Sequence, residues 1–169
     1  MLSTLLDRYC RLLGIAMVAC LAVMVVLVFG NVVMRYGFNS GFTLSEELSR
    51  WLFVWMTFLG AVVAVHERAH LGTDTLVSRL PVAGKKLCLG ATYLLMLYLC
   101  WLLLRGAWQQ TLINADATSA VMQVSMGILY ASGVVFAVSA MVMLAGSLWR
   151  LLSGRMSEAE LIGVHGDEA

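Results

Sequence analysis

The amino-acid sequence predicts an all-α integral membrane protein, with four transmembrane helices and a short amphipathic interfacial segment in the cytoplasmic loop. Three observations lead there. Of the 169 residues, 61% are hydrophobic and only 12% are charged, with mean hydropathy +0.88; an ordinary soluble domain is about half apolar and about a quarter charged. The charges gather between long uncharged runs instead of being scattered through them. The basic residues also fall unevenly on the two sides that such runs define.

The first run, Leu12 to Met34, has 23 residues without a charge, enough at about 1.5 Å per residue to cross a hydrocarbon core of about 30 Å. Arg8 and Arg11 precede it as in a signal peptide. Its core exceeds the h-region of such peptides and no A-x-A-like site follows, so a retained signal anchor is expected. The loop RYGFNSGFTLSEELSR comes next, with Asn39-Ser40-Gly41 as a turn signal. Thr43-Leu44-Ser45-Glu46 fits a capping box, Thr43 capping and Glu46 reaching back, which starts the second helix near Leu44. Its uncharged run, Trp51 to Val65, is lengthened by Leu48 and by Arg50 reaching back to the interface.

After the second helix, Leu71, Leu76, Val77 and Leu80 are spaced among polar residues and followed by Pro81. This pattern predicts a surface-lying amphipathic helix ended by the proline. Lys85 and Lys86 mark the start of the third helix, whose uncharged run is Leu87 to Leu104. Ala117 to Trp149 is too long for one span, and its polar front TSAVMQVSMG reads as loop or interface. The expected spans are therefore about 12–34, 46–65, 87–108 and 126–150, within a transmembrane domain of residues 1–152. Residues 153–169 form a polar tail, with Glu158, Glu160, Asp167 and Glu168, that is expected to be disordered. Tyr36, Trp108 and Trp149 suit an aromatic belt.

With four spans, Arg8, Arg11, Arg68, Arg79, Lys85, Lys86, Arg150 and Arg155 share one side, against Arg35, Arg50 and Arg105 on the other. The positive-inside rule then makes both termini cytoplasmic. The net charge of +1 gives no reason to expect a nucleic-acid partner. Cys10, Cys20, Cys88 and Cys100 lack C-x-x-C spacing and read as free thiols in or beside apolar helices.

His66-Glu67-Arg68-Ala69-His70 fits H-E-x-x-H, the helical zinc-protease signature in which the glutamate is general base. A catalytic zinc needs a third protein ligand and an open position. His165 lies in the polar tail, Asp116 on the opposite side, and Asp74 only just past Gly72. The competing reading is a helix end at the interface, where charge is permitted again. An intramembrane zinc metallopeptidase stays as the alternative function, and a small adaptor unrelated to transport as a third. A bis-histidine haem needs ligands on two facing helices, and both usable histidines lie on one helix end. No cofactor is expected.

Intramembrane ionisable groups usually mark transport pathways, yet the third and fourth helices hold no Asp or Glu, and Asn31 is the one strongly polar residue of the first span. The ionisable residues cluster instead at the outer ends of helices one and two. Glu46 and Arg50 are four apart and Glu47 and Arg50 three apart, so each pair shares a helix face, and Arg35 can reach a glutamate across the loop. An interfacial ion-pair cluster, or a set of groups that fixes the hairpin against a partner subunit, are both open readings.

The stretch from Asn31 to Leu76 resembles the small membrane subunit of TRAP (tripartite ATP-independent periplasmic) transporters, the DctQ type. The resemblance rests on Asn31, Arg35 and Tyr36 at the end of helix one, Glu46, Glu47 and Arg50 at the start of helix two, Phe53, Trp55, Phe58, Gly60 and Ala61 within it, and His70 and Asp74 after it. His66 has no counterpart in that pattern, and Ser132-Gly133 stands where such subunits often carry a Pro-Gly-like kink, so a straighter last helix is expected. The resemblance implies a non-enzymatic scaffold for a large membrane subunit that moves an organic acid, typically with Na+, after a periplasmic substrate-binding protein captures it. Membrane lipids are the remaining partner. It also makes Asn31, Arg35, Glu46, Glu47, Arg50, Trp55, His70 and Asp74 candidates for a subunit-interface or structural role. Gly60, Ala61 and Ala64 are small enough to let helices approach closely.

Overall fold

The computed structural model describes residues 2–67 and 82–153, which form four long helices: α1 (Leu2–Gly37), α2 (Thr43–His66), α3 (Val82–Ile113) and α4 (Gly127–Leu152). All four are long and apolar enough to cross a membrane, in agreement with the expected fold class. Where no water can satisfy backbone groups, a continuous helix is the form that leaves none unpaired. The amphipathic interfacial segment, Arg68, His70, Asp74 and all of the polar tail beyond Ser153 lie outside the described residues.

The helices stand in the order α1–α2–α4–α3, each packed on the next, and among the described residues α1 does not pack on α3. The arrangement is an open row with α2 and α4 inside, and α4 is the most buried helix. The edge helices pack through narrow seams. On α1 the less exposed positions Leu6, Cys10, Leu13, Met17, Cys20, Met24, Leu27 and Asn31 alternate in steps of four and three, the spacing of a coiled-coil seam. Cys10 and Leu13 pack with Val62 and Met143, and the Met17 sulfur lies 3.3 Å from where a Cβ on Gly60 would be. On α3 the seam runs through Gly90, Tyr93, Leu97, Cys100, Leu104, Ala107 and Thr111. Tyr93 packs there with Leu144 and Leu151 of α4. Tyr9 and Ser139, 3.0 Å apart through their hydroxyls, tie α1 to α4.

The α1–α2 and α3–α4 turns lie at one end of the row, the hairpin end. At the first, Asn39 adopts a left-handed φ of 52°, which asparagine tolerates better than most residues. The N–H groups of Phe38 and Ser40 both donate to the Met34 carbonyl there. The expected capping box does not form. Helix α2 already includes Thr43; the capping position is Phe42, in extended conformation and without a side-chain cap. The helix starts one residue earlier instead, at a residue whose side chain has no acceptor, and the backbone groups of that residue are met by α1 and Ser45. Asn31 Oδ1 accepts the Phe42 N–H at 2.8 Å, and Ser45 Oγ donates to the Phe42 carbonyl at 2.7 Å.

The second turn, expected only as loop or interface, is a small β-like hairpin. Thr118 bridges Ser125, the Ser119 N–H donates to Val124 and the Met126 N–H to Ala117, with Gln123 left-handed at its tip. Gly127 closes it by donating to the Asn114 carbonyl at 3.0 Å. Glycine suits this close approach: a Cβ would lie 3.0 Å from the Thr111 carbonyl oxygen and 3.3 Å from the Ala115 Cα, so backbone would have to yield by a few tenths of an ångström.

Candidate functional site

At the hairpin end, α1 and α2 enclose a cleft of about 290 Å³ lined by Val28, Asn31, Val32, Arg35, Tyr36, Ser45 and Glu46. Its floor is held by the Asn31–Phe42 hydrogen bond and by Ser45, which is 1% exposed. Arg35 and Glu46 are on its walls with exposed side chains. Arg50, one turn deeper on α2, is exposed as well.

The expected intrachain ion pairs are absent. Among the described residues, Arg35, Glu46 and Arg50 form no ion pair, with each other or with Glu47. Holding two long exposed side chains together costs entropy that the screened attraction scarcely offsets, and Glu47 is engaged elsewhere. Its Oε2 accepts the backbone N–H groups of Val121 at 2.9 Å and Met122 at 3.3 Å, from the tip of the α3–α4 turn. Ser119 is buried beside the same carboxylate, although its hydroxyl makes no hydrogen bond of ordinary geometry. Glu47 thus clasps the second helical hairpin to the first, a role sequence reasoning missed. Trp55 is partly buried within α2, apart from the cleft.

At the opposite end, His66 Nε2 lies 3.0 Å from Asp7 Oδ1 on α1. The first histidine of the H-E-x-x-H stretch therefore pairs with the start of the chain, a partner 59 positions away. Among the described residues no three His, Cys, Asp or Glu side chains stand close enough to hold a metal.

Residues 24–154 match the family described as tripartite ATP-independent periplasmic transporters, DctQ component. The chain belongs to the DctQ family. A Haemophilus influenzae protein named a TRAP transporter small permease protein is 38% identical over 135 residues, 80% of this chain and 84% of the relative. A second protein of that name from the same organism is 33% identical over 134 residues, 79% of each chain. A Vibrio cholerae protein named C4-dicarboxylate TRAP transporter small permease protein DctQ is 35% identical over 85 residues, 50% of this chain and 37% of that one.

Membership of the DctQ family makes the chain a multi-pass small permease subunit of a TRAP transporter, and not an enzyme. That overturns the zinc-peptidase alternative, and the Asp7 contact supplies a physical account of His66 without metal. Because the pair is at the surface, with His66 26% and Asp7 66% exposed, little stability depends on it. His66→Ala is expected to leave solute uptake by the assembled transporter within about two-fold of the unchanged chain. A loss of uptake at normal membrane levels would contradict this.

Proposed function

We propose that this chain is the fixed scaffold subunit of a Na+-driven transporter for an organic acid, a carboxylate or sugar acid. A large membrane subunit carries the solute and ion sites, and a periplasmic binding protein delivers the solute. One observation carries the reading: between Asp7 and Glu46, between Glu47 and Glu67, and throughout α3 and α4, there is no acidic side chain. Cation-coupled carriers commonly use such a group at membrane depth, so coupling is assigned to another subunit. The tripartite family supplies the need for other components. The Vibrio relative, named for C4-dicarboxylates, supports the solute class. In this reading the chain sits in a bacterial inner membrane with the hairpin end periplasmic and both termini cytoplasmic, following the basic-residue asymmetry. Asn31 and Glu47 hold the scaffold's own shape, while Arg35, Glu46 and Arg50 face outward.

Uptake by proteoliposomes tests the proposal. Large subunit, binding protein and a Na+ gradient together should accumulate C4-dicarboxylate or sugar acid only when this chain is present. Full-rate uptake without it would show that the scaffold is dispensable and defeat the proposal.

A further inference from the structure

On the interior helix α2, the exposed residues after Thr43 and within the helix are Glu46, Arg50, Phe53 and Thr57. Their four-three-four spacing puts them on one stripe. Beside it runs an exposed ridge of α1, Val25, Val28, Val32 and Arg35, and the cleft joins the two at Val28, Val32, Arg35 and Glu46. An interior helix left open along such a stripe, next to an edge helix buried only through its seam, leaves a shared α1–α2 face that no helix of this chain covers among the described residues.

Charge decides what fills it. Lipid tails cover apolar ridges at no cost, but not charge. Arg50 is ~10 Å along α2 from its first residue, and among the described residues it has no ion pair. The nearby carboxylate of Glu47 is taken by the Val121 and Met122 amides. Arg105, the exposed arginine of α3, differs: its guanidinium lies 6.0 Å over the Trp101 ring, beside a Tyr98–Trp101 stack. Such an aromatic anchor is complete against lipid. The groove is not complete: Arg35 and Arg50 face it without an ion pair, and the Glu47 carboxylate, held against the α3–α4 turn, acts on Arg50 only weakly and from a distance.

We infer that this α1–α2 groove seats a transmembrane helix of the large subunit, one that brings an acidic side chain to Arg50. The inference rests on the scaffold reading above and names the surface that reading leaves open. A lipid phosphate could meet Arg35 at the mouth of the cleft, and lipid tails could cover Phe53 and Thr57, but Arg50 lies a turn deeper along α2 than Glu46 at that mouth.

The test is photo-cross-linking in native membranes that hold the whole transporter. Benzoylphenylalanine is placed at Val28, Phe53 or Thr57 in the groove, and at Trp101 or Val142 on other exposed faces. The groove positions should yield an adduct with the mass of this chain plus the large subunit, and the other two should not. In parallel, Arg50→Glu should lower the large subunit recovered with the chain by about ten-fold or more, while Arg50→Lys and the chain's own membrane level stay near normal. Groove positions that label only lipid or this chain, with the large subunit still co-purifying, overturn the groove and leave the scaffold standing. Adducts confined to Trp101 or Val142 also overturn the groove. If the unsubstituted chain brings down no large membrane partner, the scaffold reading fails first and the groove with it.

Discussion

Replacing Gly133 by leucine is expected to lower the melting temperature of the purified chain in mild detergent by about 5–10 °C. Gly133 is buried on α4 at the level where α4 meets both neighbours. A Cβ there would lie 3.3 Å from the Ala107 Cβ of α3 and 3.7 Å from the Phe58 ring of α2. Phe58 is in turn packed on Phe136, their ring centroids 5.9 Å apart. A leucine therefore cannot be accommodated by one side chain moving aside. It must push α3 or α2 away, and overpacking of this kind costs about 1–3 kcal/mol or more, which gives the shift above for a chain of this size. Gly133→Ala asks the neighbours to yield by only a few tenths of an ångström and should lose less than half as much. Gly106→Leu, on α3 where a Cβ meets nothing within 4 Å, is the control and should melt close to the unsubstituted chain. Equal melting temperatures for Gly133→Leu and Gly106→Leu would mean that α4 is not packed between its neighbours as described.

The same packing shows why only part of the fold can be read from the sequence. In water, an apolar stripe betrays the buried face of a helix; in lipid, the outward face is just as apolar, so hydrophobic period carries no such information. Val25, Val26 and Val28 on the outside of α1 are no more polar than Met24 and Leu27 in its seam. The four helices were therefore legible from uncharged length alone, whereas the order α1–α2–α4–α3 was not. The strongly polar Asn31 stood out in an apolar run, and it does carry a contact, but its partner is a backbone N–H that no residue type announces. The capping box failed for a related reason: Thr43 and Glu46 have the right identities, but Asn31 and Ser45 bind the Phe42 backbone and the helix starts there, one residue before the box. The acidic and basic residues at the hairpin end stand out as a cluster in the sequence, but spacing alone left open whether they pair with one another, and the Glu47 contact with the α3–α4 turn has no sequence signal. His66 has no counterpart in the family pattern, yet it has a partner, Asp7, that only the fold brings near.

Glu47→Ala is expected to release the α3–α4 turn without unfolding the helices. In the intact protein one carboxylate oxygen holds two consecutive amides, Val121 and Met122, contributed from 74 and 75 positions further along the chain. Such charge-assisted bonds are about twice as strong as neutral ones, and among the described residues these are the only hydrogen bonds from α2 to that turn. Alanine leaves both amides to water, so their hydrogen exchange should quicken by about ten-fold or more, while exchange within α4 stays unchanged. Glu47→Gln keeps an acceptor oxygen but not the charge, and should fall between the two. Glu47→Asp keeps the charge but shortens the reach, so its exchange should resemble that of alanine. That ordering separates a positional clasp from a general effect of negative charge near Arg50, under which aspartate would behave like glutamate. Because the turn and the cleft lie at the same end, the loosened chain should also retain less of the large subunit after detergent extraction. Unchanged exchange at Val121 and Met122 in Glu47→Ala would rule the clasp out, whatever happened to assembly. Faster exchange with undiminished assembly would confine Glu47 to the chain's own architecture and leave Arg35, Glu46 and Arg50 as the residues that meet a partner.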